Sequence, residues 1–159
     1  MRTVEQWLDA YEESHRNPVN KAIHWVCIPL IVISLIALLC EYQWSNEAQR
    51  FSDLNAGSLV LTGTCLYDLF LSWKLALGMM LVSLGCIGAV YGLEQIAQHQ
   101  HISLTDLVWS IFIVAWIEQF IGHKTEGKNP SFFEDMQFFL IGPLWLLSFI
   151  YGRLGISYE

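Results

Sequence analysis

The sequence predicts an all-α integral membrane protein: one helical bundle of about five transmembrane helices, preceded by an amphipathic helix at the surface. Of its 159 residues, 54% are hydrophobic and only 14% are charged, against about 45–50% and about 25% in soluble globular chains. The apolar residues are concentrated in five long segments with few charges. Nothing in the composition resembles a linker, so we expect a single membrane-embedded domain over residues 1–159.

The first segment, residues 3–16, differs from the rest of the chain. Val4, Leu8, Tyr11 and His15 fall on one helical stripe, and acidic side chains take the other side. Helices that bind anionic lipid surfaces usually carry basic residues on the polar face. We therefore expect this surface helix to pack onto the bundle.

The five predicted spans cover residues of about 18–41, 54–73, 75–93, 105–123 and 130–152. The first is the clearest, because the stretch from Ala22 to Cys40 contains no Asp, Glu, Lys or Arg and comes close to crossing a hydrocarbon layer of ~30 Å. Pro143 predicts a kink in the fifth span. Tryptophans near the span ends predict interfacial belts with no catalytic role; they are Trp25, Trp44, Trp73, Trp109 and Trp145.

Charge excludes one class of function and predicts an orientation. With a net charge of -7 and only eight Lys and Arg residues, the chain is not expected to bind nucleic acid. If all five spans cross, one face holds six basic residues, and we expect this face to be cytoplasmic. These residues are Arg2, Arg16, Lys21, Lys74, Lys124 and Lys128, with Arg50 and Arg153 opposite.

The first polar cluster precedes and enters the first span. Asn17 is a suitable helix cap and Pro18 a suitable first helical residue. Asn20 and His24 are four residues apart and so share a helix face. The cap turns the chain so that His15 can approach them.

The second polar cluster ends the fourth span. Gln119 and His123 share one stripe, which Glu126 continues if the helix persists. Four crossings between His24 and His123 return both to one membrane face, whereas His99 falls on the far face. For Asp68 and Glu118 we favour hydrogen-bonded carboxylates over proton relays.

Three imidazoles at one membrane face, those of His15, His24 and His123, leave two interpretations. Ionisable groups at membrane depth often mark function, and neutral imidazole is the commonest metal ligand. The cluster is therefore either a metal site or a structural polar network. With Glu126 or a water completing the coordination, the ligand set suits Fe²⁺, and zinc is the alternative. The four cysteines have no metal-site spacing and are expected to be buried thiols.

These two clusters resemble the motifs of the Mpo-type family, small membrane proteins long catalogued as a domain of unknown function. The resemblance covers nearly the whole chain and is carried by His15-x-Asn17-Pro18-x-Asn20-Lys21-x-x-His24, Pro29, Trp116-x-x-Gln119-Phe120-x-Gly122-His123, Glu126 and Pro130. It implies an Fe(II)-dependent dioxygenase that shortens 2-hydroxy fatty acids by one carbon in α-oxidation. The ending Ile141-Gly142-Pro143-Leu144-Trp145 resembles bacterial members, which implies the bacterial inner membrane, or the endoplasmic reticulum in a eukaryote.

The resemblance also implies roles for individual residues. His15, His24 and His123 would hold the iron, with Glu126 or His99 as a fourth ligand, although five crossings would keep His99 away. Our own further expectations do not come from the resemblance. We expect Asn17, Asn20 and Gln119 to support the ligands or catalysis, Lys21 and Lys124 to bind the substrate carboxylate, and Ile28, Phe112 and Phe120 to contact the acyl tail. The implied partners are the lipid bilayer, a fatty acyl substrate and O₂, and a homo-oligomer is compatible with the sequence.

Two alternatives from other classes stay open. The chain is alternatively a non-catalytic membrane scaffold or small transporter whose His/Asn clusters only pin helices together. A bis-histidine haem protein is the other alternative. Metal content and the visible absorption spectrum distinguish these three classes.

Overall fold

The computed structural model describes residues 3–12, 15–41, 55–125 and 141–157. Within these ranges the regular structure is helical, which confirms the all-α prediction. Six helices follow one another along the chain: α1 Val4–Glu12, α2 Pro18–Glu41, α3 Ala56–Leu71, α4 Trp73–His99, α5 Leu104–Thr125 and α6 Ile141–Leu154.

Helices α2 and α5 form an antiparallel pair. At one end the Asn17 amide donates to the backbone carbonyl of Thr125 (3.2 Å). At the other, the Thr105 hydroxyl donates to the Glu41 carboxylate. Between these ends, apolar side chains of the two helices pack together, Cys27 against Ala115 among them. The start of α2 and the end of α5 therefore lie side by side, and this end of the bundle is called the histidine end below.

Helices α3 and α4 form a helical hairpin that is connected by a single residue, Ser72. This residue is the C-cap of α3 and the N-cap of α4. Near its start α4 packs through Leu75 and Met79 against Tyr11 of α1. Further along, Val90 packs against Cys40 near the end of α2. Helix α4 thus runs from the histidine end to the opposite end.

Helix α6 ends at the histidine end. The Tyr151 hydroxyl donates to the backbone carbonyl of Lys74 in the first turn of α4 (2.8 Å), and the Lys74 ammonium donates to the Ser157 carbonyl (2.7 Å). The prediction that Arg153 lies opposite Lys74 is therefore wrong. Pro143 lies in the first described turn of α6, and the segment before Ile141 lies outside the described residues, so the predicted kink in the fifth span stays a prediction.

Helix α1 packs onto the bundle, as expected. It is shorter than predicted, ending at Glu12, and it buries Leu8 and Tyr11 against Trp145 of α6. Its packing surface is the stripe that the sequence pattern indicated.

Three of the described helices, α2, α4 and α5, are long and apolar enough to cross a membrane. Helices α3 and α6 are apolar but shorter, and the predicted count of five crossings is not confirmed. Large apolar side chains point outward, Phe70 at 89% and Leu81 at 71% exposure. Such side chains suit contact with lipid, because a soluble surface rarely carries so many.

Candidate metal centre

His15 lies in the short connection between α1 and α2 and is 2% exposed. Its backbone N–H donates to the Glu12 carbonyl (3.0 Å), and this hydrogen bond ties His15 to the last residue of α1. The ring lies 2.6 Å through Nδ1 from the Tyr11 carbonyl and stacks on the Tyr11 ring. His15 is thus held by α1 on two sides.

His24 lies in the second turn of α2 and is fully buried. Its Nδ1 is 2.9 Å from the Asn20 carbonyl one turn earlier. A carbonyl only accepts hydrogen bonds, so we infer that Nδ1 carries the hydrogen in both His15 and His24. The lone pair of each neutral ring is then on Nε2, the arrangement in which a backbone carbonyl orients a metal-binding histidine.

His123 lies in the last turn of α5, is 5% exposed and completes a group of three rings. The ring centroids are 4.3 Å apart for His15 and His24, 4.9 Å for His24 and His123, and 5.2 Å for His15 and His123, all edge to face. Each histidine offers one ring nitrogen, and these nitrogens lie within 4.8 Å of one another. The predicted convergence of three imidazoles is observed.

Asn20 and Gly122 set how closely α2 and α5 approach beside this cluster. Asn20 is fully buried, and a Cβ added at Gly122 would lie 2.5 Å from its Oδ1. A larger residue at position 122 would displace the buried Asn20 side chain or push the two helices apart. Because His24 follows Asn20 by one turn and His123 follows Gly122, this contact fixes the separation of two of the three rings.

Asn17 joins the same two helices at the surface. Its Oδ1 accepts from the Val19 N–H (2.8 Å) as a helix cap, while its Nδ2 donates to Thr125. Gln119, one turn before His123, is 7% exposed, and its Oε1 has no hydrogen-bond partner in the described part of the chain. The three polar residues expected to support the site thus all lie on the two helices that form it.

Tyr11 and Trp145 form an aromatic wall that the sequence did not indicate. Trp145 was expected in an interfacial belt but is 1% exposed, with its ring 5.6 Å from that of His15 and 5.1 Å from that of Tyr11. Local sequence gives no signal for this burial, because the start of α6 is buried on most sides, at Ile141, Gly142, Leu144, Leu146 and Leu147 as well as at Trp145. Trp25, Trp73 and Trp109 are exposed, as belt residues should be.

The remaining expected residues differ in position. Lys21 forms an ion pair with Glu12 (2.9 Å) and lies over the Phe149 ring, while Lys124 is exposed next to His123. Glu126 lies outside the described residues. His99 ends α4 at the opposite end of the bundle and is exposed, so the structure does not bring it to the other three histidines.

Two carboxylates on the apolar helices α3 and α5 do not belong to the cluster. Glu118 accepts a hydrogen bond from the Cys27 thiol (3.4 Å), which matches the expectation of a hydrogen-bonded carboxylate. Asp68 is fully buried, and neither of its oxygens has a hydrogen-bond partner within the described ranges. Cys27, Cys40 and Cys86 are buried, as expected, and Cys65 is partly exposed.

Positive charge gathers at the histidine end. Arg16 and Lys124 follow His15 and His123 in the chain, and Arg153 shares a surface recess with Asp9 and Glu12 of α1. With Lys21 and Lys74, all five described Lys and Arg side chains are at this end.

Comparison with known protein families identifies a match to this chain. The family described as "2-hydroxy-palmitic acid dioxygenase Mpo1-like" matches the chain over residues 1–154. No curated protein and no solved structure matches it.

Proposed function

Because the chain belongs to the Mpo1-like family, we propose that it is a membrane-embedded dioxygenase that shortens 2-hydroxy fatty acids by one carbon. In the proposed reaction the C1–C2 bond of the acid breaks, C1 leaves as carbon dioxide, and C2 becomes the carboxyl carbon of the shortened acid. One dioxygen molecule is consumed and one water is formed, so the reaction needs no further reductant.

The observation that carries this proposal is the buried trio of His15, His24 and His123, whose ligand nitrogens lie within 4.8 Å of one another. Three neutral imidazoles fit Fe²⁺, because they leave coordination positions for substrate and oxygen. They also fit zinc, which binds three histidines in some enzymes. When bound, Fe²⁺ would supply the activation of oxygen. Glu126 or a water would complete the ligand set.

The chain's own residues would orient the substrate and exclude water. Lys21 and Lys124 would bind the carboxylate at the surface. The Trp145 Nε1, which is buried and has no acceptor among the described residues, would donate to a polar group of the substrate. Tyr11 would close the site on the side of α1. Asn20 and Gln119 would hold the two helices and their histidines.

We further propose that the histidine end faces the cytoplasm. The five described basic residues at this end support that orientation, because cytoplasmic segments of membrane proteins carry an excess of Lys and Arg. A substrate carboxylate would approach the site from this charged surface, while its acyl chain would stay in the bilayer.

The test is anaerobic purification, metal quantification and measurement of oxygen uptake with and without 2-hydroxy-palmitic acid. We expect bound iron and acid-dependent uptake, both lost in His24→Ala and His123→Ala. His99→Ala is the matched control, since His99 is exposed at the other end of the bundle, and it should keep both.

Two results would contradict the proposal. A protein with no iron, whose properties are unchanged in His24→Ala and His123→Ala, would be a scaffold or small transporter. A Soret band would instead indicate bis-histidine haem, although three imidazoles packed edge to face, with centroids 4.3–5.2 Å apart, leave little room for a porphyrin between any two of them.

A further inference from the structure

An apolar cavity of about 200 Å³ lies between α2, α4 and α6, beside the histidine cluster. Its lining includes Ile28 one turn after His24, and Leu146 next to Trp145. Among the described residues, no charged side chain lines it. Such a cavity does not favour bound water, because a buried water molecule needs two or more polar partners. Hydrocarbon is the ligand that its chemistry accepts.

Two prolines line this cavity, Pro29 inside α2 and Pro143 in the first described turn of α6. A proline inside a helix removes a backbone hydrogen bond and disturbs close packing against neighbouring helices. Pro29 therefore favours a gap beside α2 at the level of the cavity.

A second, smaller apolar cavity of about 50 Å³ continues the first between α2, α3 and α4. Both cavities are lined by Val32, Val82, Cys86 and Pro143, which form a waist between them. Along α2 the combined lining runs from Trp25 to Ile36, about 16 Å at 1.5 Å per residue. The two cavities together form a narrow slot that leads from the histidine end towards the opposite end.

The head of the slot matches a single-tailed acid. The Lys21 Nζ lies 5.6 Å from the centroid of the Phe149 ring. The centroid of the Phe149 ring lies 6.2 Å from that of Trp25, which lines the slot. Along α2 a cation, a histidine of the cluster and the apolar lining thus follow one another as Lys21, His24 and Ile28. Trp25 and Ile150 of the lining are also 41% and 44% exposed on the outer surface, so the slot opens sideways to lipid.

We propose that this slot binds the acyl chain of the substrate, which moves in sideways from the bilayer, and that Val32 and Val82 at the waist limit its length. The inference rests on the proposed function for the identity of the head group. The slot itself rests on the lining of the two cavities and on their position beside His24.

The first test narrows the waist. Val82→Phe should lower kcat/KM for 2-hydroxy-palmitic acid about tenfold relative to 2-hydroxyoctanoic acid, because a misfit of a few methylene groups in an apolar pocket has effects of about this size. Iron content should be unchanged. Leu81→Phe adds the same ring one residue away on the lipid-facing surface and should leave the ratio unaltered. An unchanged ratio in Val82→Phe would overturn the proposal.

The second test does not depend on turnover. The probe is a 2-hydroxy fatty acid with a photoreactive diazirine in the middle of its acyl chain. It is added to the purified full-length protein, the mixture is illuminated, and the labelled residues are mapped. Labelling of Val32 or Val82, reduced by excess 2-hydroxy-palmitic acid but not by phospholipid, supports the slot. Labelling confined to outer residues such as Leu81 overturns it. Labelling in the slot without any oxygen uptake would support the proposed acyl site and contradict the proposed dioxygenase activity.

Discussion

The ring of Tyr11 lies nearly flat against the ring of His15, with centroids 4.1 Å apart and planes inclined by 9°. The Tyr11 carbonyl also holds Nδ1 of the same imidazole at 2.6 Å. One residue of α1 therefore fixes both the plane and the tautomer of a candidate ligand. Helix α1 is thus part of the candidate metal centre, although its sequence indicates only an amphipathic helix.

Removing this stack should weaken metal binding. We expect Tyr11→Leu to lower iron affinity about tenfold, since residues that orient a metal-binding histidine have effects of this order. Tyr11→Phe keeps the ring and the backbone carbonyl and should retain the affinity. Competition with a chelator measures both. Equal affinities for Tyr11→Leu and Tyr11→Phe would show that the stack does not orient His15.

Gly122 should tolerate no side chain. Gly122→Ala places a Cβ 2.5 Å from the Asn20 Oδ1, and such overpacking costs about 1–3 kcal/mol. The midpoint of thermal unfolding in detergent should fall. Gly85→Ala is the control, because nothing lies within 4 Å of the added Cβ there, and alanine in a helix should preserve or raise the midpoint. Equal midpoints in the two variants would contradict the close contact of α2 and α5.

Asn17 has two separable roles, as a helix cap and as a link to Thr125. Asn17→Ala removes both and should destabilise the protein by about 0.5–2 kcal/mol. Asn17→Asp keeps the capping oxygen but loses the amide donor, so its loss of stability should be smaller. Chemical unfolding followed by circular dichroism measures the difference. A larger loss of stability in Asn17→Asp than in Asn17→Ala would refute the assignment of Asn17 as the helix cap.

The ion pair of Lys21 and Glu12 should matter little for stability. Side chains exposed by 30% and 50% make this a surface pair, and such pairs contribute about 0–1 kcal/mol. Glu12→Gln should therefore unfold like the wild type and, by freeing Lys21, lower the KM for the acid. Lys21→Gln should raise KM with little change in kcat. Steady-state oxygen uptake measures both, and a kcat effect alone would argue against carboxylate binding by Lys21.

The part of the site carried by α2 and α5 was predictable from the sequence, because helical periodicity relates Asn20 to His24 and Gln119 to His123 within single helices. Their meeting also followed from counting crossings, and so did the separation of His99. The role of Trp145 was not predictable in this way. A tryptophan near a helix end has the same local pattern whether it faces lipid or a histidine, and only packing against α1 decides.

The direction of α6 was the main error in the fold. Apolar residues over 130–152 indicate a helix in the membrane, but hydropathy does not say at which end its last turn emerges. The contacts of Tyr151 and Lys74 settle that point. They place Arg153 with the other described basic residues, so the charge asymmetry of the bundle is stronger than the sequence predicted.

The three histidines of the cluster are synthesised at different times. His15 and His24 emerge early, whereas His123 follows only after α3 and α4. A nascent chain that has inserted α2 alone holds two imidazoles and no third. A metal held by all three imidazoles would therefore bind only after α5 pairs with α2, on a finished bundle rather than on a chain still leaving the ribosome.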